Sequence, residues 1–215
     1  MPFRHFPGDF VYWEEIGNHE KIKTQLLPKI TDDAKKEKYN PFDKSCNFNT
    51  SFRKDRDVLE KNKFLNTPEI VENIVMKPLM NMLDSYNKLE LSKIGFQRVI
   101  IQSGWWNLYD TGDFQEFHNH TSAPLVLNEG LFHCCYSVIY ILHDENEKSS
   151  ISFRRFGPNP HMPGHIDQTF HTSDQDDIKE GTVLVFPSNL LHTVTPCIKP
   201  GRITIAYNVY CNFDQ

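Results

Sequence analysis

His118 and His120 stand one residue apart, and far downstream His192 is followed ten positions later by Arg202. On an extended strand residues i and i+2 project from the same face. His118 and His120 can therefore present two imidazoles side by side, with Asn119 turned away. A third imidazole must come from a neighbouring strand, and His192 closes a strand-like run that begins at Gly181. Neutral imidazole suits Fe, Zn, Cu and Ni alike, so donor type alone does not name the metal. Arg202 adds a permanent cation on the following strand, so a metal and an acidic cosubstrate can share one pocket.

The elements that must carry these residues are short strands. From about residue 96 onward, strands are expected near 97–108, 113–120, 133–142, 150–156, 182–187, 191–196 and 202–210, separated by Gly, Pro, Asn and Asp clusters. No strand alternates with a long helix, which argues against a doubly wound α/β fold. Ahead of them, Thr67-Pro68-Glu69 forms a helix start, with a hydroxyl at the cap, proline in the first turn and an early carboxylate. Ile70, Val71, Ile74, Val75, Leu79, Met82 and Leu83 then recur at helical spacing, and Pro78 is expected to kink or divide that helix. Met76, Met80 and Met82 read as core filler. Residues 1–60 are polar and weakly periodic, and the charged stretch from Asp32 to Lys38 reads as a solvated turn or helix face. The expected fold class is mainly β (α+β): a double-stranded β-helix, jelly-roll or cupin-like, with N-terminal supporting helices. The division is a helical and irregular region over 1–95 packed on a β core over 96–215, within one structural domain.

Composition narrows the class. A chain of 215 residues holds one domain with a sizeable core. A net charge of −5 and a pI near 6.0 argue against a nucleic-acid surface, and Arg53, Lys54 and Arg56 are too few to reverse that. No apolar run reaches membrane-spanning length. The five cysteines (Cys46, Cys134, Cys135, Cys197 and Cys211) are odd in number and form no C-x-x-C pair, which fits a reducing cytoplasm; Cys134 and Cys135 read as packing residues.

The block Gly112 to His120, followed by His192 and by Arg202-Ile203-Thr204, resembles the Fe(II)- and 2-oxoglutarate-dependent dioxygenases. In that superfamily a double-stranded β-helix carries H-x-D/E…H as the iron triad. An arginine about ten residues beyond the distal histidine, commonly in R-x-S/T, holds the cosubstrate carboxylate. The chain is most similar to phage- and bacteria-type members of the prolyl-hydroxylase-like branch, through Trp106-Asn107, Gly112–His120, Phe186–Pro196 and Arg202–Asn208. The resemblance covers residues 97–212; the earlier half matches loosely, through Asn49-Thr50-Ser51 and the helix at 67–90. It implies His118, His120 and His192 as iron ligands, with Arg202 and Thr204 anchoring 2-oxoglutarate. Tyr140 or Tyr136, which alternation puts on one strand face, is expected to add a phenolic donor. Asn107 and Asn208 are expected to contact or support the chelate, and Trp106 to wall the cavity. The implied reaction consumes dioxygen and 2-oxoglutarate, releases succinate and carbon dioxide, and hydroxylates a substrate such as a protein side chain, a nucleobase or a small metabolite. The departure is His120, where most of the superfamily has Asp or Glu.

Two other readings fit the same residues. A cupin-type dioxygenase would use three histidines without cosubstrate; Gly112 to His120 matches the first cupin string, but Thr121–Leu127 lack the Glu expected there. A non-catalytic β-barrel would bind metal or a small acid without turnover. His161, His165 and His171 fall in a Pro- and Gly-bearing stretch, 157–173, read as a loop over the pocket mouth, and 121–132 reads as a lid inserted after the metal motif. The acidic run 173–177 reads as solvated, and His5, His19, His133 and His143 are assigned no role.

Overall fold

The alternation of apolar residues continues on both faces of several strands, and a strand of that kind must be covered twice. In the computed structural model it is. The structure describes residues 3–6, 9–36, 38–40, 46–52, 62–88, 98–145, 150–155 and 168–212. Fourteen strands lie among them. One sheet of nine runs β1 (Phe3–Phe6), β2 (Asp9–Glu15), β12 (Thr182–Pro187), β9 (Gly130–His143), β14 (Arg202–Asn212), β6 (Trp105–Tyr109) and β4 (Asn49–Thr50). In the same sheet β5 (Arg98–Ile101) pairs with β14, and β8 (Leu125–Leu127) pairs with β9. The facing sheet of five runs β11 (Gln168–His171), β10 (Ile151–Arg155), β13 (Leu191–Val194), β7 (Phe114–His118) and β3 (Cys46–Asn47). Every pairing is antiparallel. Consecutive strands β12 and β13 lie in different sheets, as expected of a double-stranded β-helix.

The expected β core and its helical support are therefore present, but strands also come from the first 95 residues. β2 extends the large sheet beside β12, while β3 and β4 border β7 and β6. Helix α1 (His19–Lys36) buries Ile22, Leu26 and Ile30, an i, i+4, i+8 stripe. The second helical stretch begins as expected, with Thr67 extended before Pro68. It runs as α2 (Pro68–Val71), a π-helical turn (Glu72–Met76) and α3 (Lys77–Lys88). Pro78 does not divide it. Proline offers no N–H to the preceding turn, and the wider π turn just before it absorbs the mismatch.

Three layers result. Phe10, Tyr12, Val138, Tyr140, Val183, Val185, Ile205 and Tyr207 pack with the helices on one face of the large sheet. Their strand neighbours Val11, Trp13, Ile139, Leu184, Phe186 and Ala206 pack between the two sheets. Gly104 is needed where the chain passes Tyr207: a Cβ there would lie 2.3 Å from the Tyr207 ring, whose hydroxyl donates to the Leu65 carbonyl at 2.7 Å.

Gly104→Ala should therefore destabilise the protein by about 1–3 kcal/mol, the usual cost of overpacking. Gly17→Ala, whose added methyl meets nothing within 4 Å, should be neutral or slightly stabilising. Denaturant midpoints check both, and equal midpoints would refute the steric account.

Candidate metal centre

His118 ends β7 and lies directly opposite His192 of β13. Between His192 and Val194 the register slips, so that two steps on β13 span three on β7, from His118 to Gln115. Such a bulge re-aims side chains next to a site. His120 lies two residues past the end of β7, where its backbone N–H bonds to the Ser188 carbonyl at 2.8 Å and keeps the chain extended. Ser188 belongs to the tight turn between β12 and β13, closed by Leu190 N–H to the Pro187 carbonyl at 3.0 Å. One turn thus places His192 and holds His120.

The three imidazoles converge. Ring centroids are 4.2 Å apart for His118–His192, 4.9 Å for His120–His192 and 5.5 Å for His118–His120. One ring nitrogen from each lies within 4.8 Å of the other two. In every case Nδ1 faces an oxygen: the Glu116 carbonyl at 2.8 Å, Asn208 Oδ1 at 2.9 Å and the Leu190 carbonyl at 3.0 Å. A carbonyl or amide oxygen only accepts, so each Nδ1 carries the proton and each Nε2 keeps its lone pair. The Nε2 of His192 is buried without a hydrogen-bond partner. Phe153 and Phe186 flank that ring at 5.7 and 4.9 Å. Burial holds all three imidazoles neutral: His118 titrates below its ordinary range, His120 is pushed down to about 3, and His192 goes well below 6.5, the neighbouring histidines adding to the effect for the latter two. Three desolvated, neutral, fixed nitrogen donors fit a borderline divalent metal.

The histidines sit in a cavity of about 270 Å³. The inner face of β14 supplies Thr204, Ala206, Asn208 and Tyr210 to its wall, and β6 supplies Trp105, Asn107 and Tyr109. Asn208 bonds His120 through Oδ1 and donates from Nδ2 to Gln102 Oε1 at 3.1 Å, which makes it an orienting group. Asn107 accepts from Thr50 Oγ1 at 2.7 Å and donates to Thr204 Oγ1 at 3.4 Å. Among the described residues, no Asp, Glu, Lys or Arg lines this cavity.

Three expectations are placed differently. Tyr140, and Tyr136 with it, faces the helices, and the Tyr140 hydroxyl lies 2.6 Å from His19 Nδ1. The phenol on the cavity is Tyr109, two residues beyond Asn107 on the same face, its hydroxyl donating to Gln115 Oε1 at 3.0 Å. Alternation from Asn107 would have found it. Trp106 also packs toward the helices, and Trp105 takes its place on the cavity. Arg202 shares the β14 face of Thr204 but does not line the cavity: it is 1 % exposed, its Nε is 3.1 Å from Asp144 Oδ2, and it borders a second recess with Glu180 and Lys199. Of the second histidine cluster, His161 and His165 lie outside the described residues; His171 is on β11, its Nδ1 2.6 Å from Ser152 Oγ. In the 121–132 segment Thr121 and Ser122 line the cavity, and Leu125–Leu127 folds back on β9.

Because these imidazoles bind protons more readily unfolded than folded, the unfolded state takes up protons first as pH falls below 6.5. Each group then removes up to about 1.4 kcal/mol of stability per pH unit below that value, and none above it. Metal-free protein should thus lose Tm between pH 6.5 and 5, with a shallower slope for His192→Gln; equal slopes would refute the burial argument. Asn208→Leu should weaken metal affinity about 10–100-fold in chelator competition while the fold is retained, since it removes the acceptor that fixes His120.

Neither a protein-family model nor a curated protein sequence matches this chain. Solved structures do. The α-ketoglutarate-dependent epimerase SnoN from nogalamycin biosynthesis superposes with a TM-score of 0.60 at 9% identity, over 94% of this chain and 77% of its own. HygX from Streptomyces hygroscopicus, with nickel and 2-oxoglutarate bound, gives 0.51 at 10%, over 94% and 82%. A prolyl hydroxylase from Trichoplax adhaerens, in complex with a hypoxia-inducible-factor peptide, gives 0.51 at 14%, over 94% and 83%. At these identities the likeness is one of fold: the chain has the double-stranded β-helix of the Fe(II)- and 2-oxoglutarate-dependent oxygenases, prolyl hydroxylases among them.

Proposed function

We propose that this chain is an Fe(II)- and 2-oxoglutarate-dependent oxygenase that hydroxylates its substrate. The observation that carries the reading is the convergence of His118, His120 and His192 inside this fold, each with Nδ1 tied to an oxygen and Nε2 left for a metal. The bound metal and cosubstrate supply the oxidative chemistry, in which dioxygen is consumed, 2-oxoglutarate leaves as succinate and carbon dioxide, and substrate gains a hydroxyl. His118, His120 and His192 would hold the metal, and the cavity beside them would receive cosubstrate and substrate. Thr204 and Asn107, on adjacent strands, offer a hydroxyl and an amide donor to the far carboxylate, with Tyr109 beside them. Phe52, Trp105 and Tyr210 contribute apolar surface that limits water around the reacting bond. The uncharged lining favours an uncharged acceptor group, a protein side chain included. A second reading, a cupin-type dioxygenase without cosubstrate, is favoured by the all-histidine donor set.

Anaerobic addition of Fe(II) and then 2-oxoglutarate should produce the visible metal-to-ligand charge-transfer band of a 2-oxo acid chelate. His192→Ala should abolish it, and Thr204→Val should raise the apparent Kd about tenfold, the value of one hydrogen bond to a charged group. Under air the wild type should release succinate. Stoichiometric iron without a band would overturn the cosubstrate assignment in favour of the cupin-type reading.

A further inference from the structure

Cys135 and Cys211 meet where the β9–β14 ladder is irregular. Val209 pairs with Tyr136 and Tyr210 with Cys134, so Cys135 is the extra residue of a bulge on β9. Cys211 pairs with His133 and is fully buried in the layer beneath the helices, while Cys135 is half-buried and packs against the same layer. The two thiols are hydrogen-bonded. Cys135 accepts from both the thiol and the amide N–H of Cys211, and itself donates to the His133 carbonyl at 3.2 Å. Those two donors hold the Cys135 thiol below its ordinary range, and the same contact pushes the Cys211 thiol up. The partly exposed sulfur is thus the one that ionises, and the enclosed one keeps its proton. The other cysteines stand apart: Cys134 turns toward Ser122, Ser188 and Tyr210, its Sγ 3.3 Å from the His120 carbonyl, and Cys46 and Cys197 pack between the sheets.

A dithiol becomes a disulfide most readily when one sulfur is an accessible nucleophile and the other already touches it. We propose that Cys135 and Cys211 form a reversible redox site, bridged when the protein meets a hydroperoxide, and that the bridge weakens metal binding through His120. The Cys135 thiolate attacks a peroxide oxygen, the O–O bond breaks, and the leaving hydroxide takes up the proton that Cys135 gave away. The Cys211 sulfur then displaces the hydroxyl of the Cys135 sulfenic acid, which leaves with the Cys211 proton as water. The sulfurs are oxidised by two electrons and the peroxide is reduced by two.

The link to the metal centre runs through the backbone of the bulge. The Cys134 carbonyl accepts from Ser188 Oγ at 2.6 Å, and the Cys135 carbonyl accepts from the Ser188 N–H at 2.9 Å. Ser188 in turn holds the His120 N–H on its own carbonyl at 2.8 Å. A covalent bond is shorter than a hydrogen-bonded contact, so bridging draws the bulge toward β14 and displaces the two carbonyls that seat Ser188.

The test uses the metal-free full chain, reduced and then exposed to hydrogen peroxide, which is removed before any metal is added. Thiols titrated in denaturant should fall from five to three, the bridge should join Cys135 to Cys211 in peptide mapping, and a phosphine reductant should restore all five. Cys134→Ser should still form the bridge; Cys135→Ser should not. Ni(II) affinity in chelator competition should fall about tenfold in the oxidised wild type, the scale of disturbing the support behind a ligating histidine, and recover on reduction. Cys135→Ser should bind Ni(II) equally before and after peroxide. Five surviving thiols, thiols lost without a bridge, a bridge through Cys134 or one only between chains would overturn the redox site. An intramolecular Cys135–Cys211 bridge with unchanged Ni(II) affinity would overturn its link to His120. Neither readout requires turnover or a 2-oxo acid, so the outcome is independent of the oxygenase reading.

Discussion

Strand β14 is buried along its whole length on both faces, and the rest of the molecule is arranged to satisfy that constraint. Its outer residues Ile203, Ile205, Tyr207, Val209 and Cys211 belong to the layer beneath the helices. Its inner residues Thr204, Ala206, Asn208 and Tyr210 line the cavity. A strand covered twice needs hydrogen-bonded neighbours on both edges as well, and β9 and β6 supply them. The position of the site therefore follows from packing. Side chains that alternate with the apolar core have one place to go, the interior between the sheets, and polar groups there must find partners. They find one another: Asn208 with His120 and Gln102, Asn107 with Thr50 and Thr204.

The same burial sets the electrostatics. An imidazole enclosed by Phe153 and Phe186 holds no proton easily, and the nearby histidines would repel a charge if one formed. Fixing each Nδ1–H on an oxygen removes the remaining tautomeric freedom. What is left is three lone pairs turned to one point, that of His192 buried with no protein partner, which is costly for that ring alone and favourable around a cation. Tyr109 shows the complementary case. Burial drives its phenol far up, Arg202 opposes that only in part, and it stays a neutral donor.

Much of this was legible in the residues, and the misses have physical causes. The i, i+2 rule placed His118 and His120 together, and the strand expected near 191–196, seen as Leu191–Val194, brought the third ring to them. The same rule could not tell which face of β9 looked inward, because both faces are apolar; Tyr136 and Tyr140 share a face, and it is the helical one. Trp105 and Trp106 posed the same two-way choice. Helix α1 left only the stripe Ile22, Leu26 and Ile30 in a charged stretch interrupted by Pro28, a weak signal beside the long apolar repeat of 70–83. Strand β2, with Phe10, Val11, Tyr12 and Trp13 all buried, has no polar–apolar alternation to reveal it. No spacing rule announces Asp144, since its pairing with Arg202 depends on where β9 ends relative to β14.

That last pairing shows how the layers act on one another. Glu180 lies in the connection leading into β12, yet its partners reach back to α1 and to the end of β9. Through Glu180, His19 and Lys23 of α1 are thus linked to the backbone of Asp144, whose carboxylate lies 3.1 Å from Arg202 Nε. Among the described residues no helix contributes to the cavity wall, while α1 meets Glu180 on the far side of the large sheet. The donors are positioned by β7, β13 and the segment held to Ser188, and the acidic and basic groups around Glu180 by contacts between α1 and the strand ends.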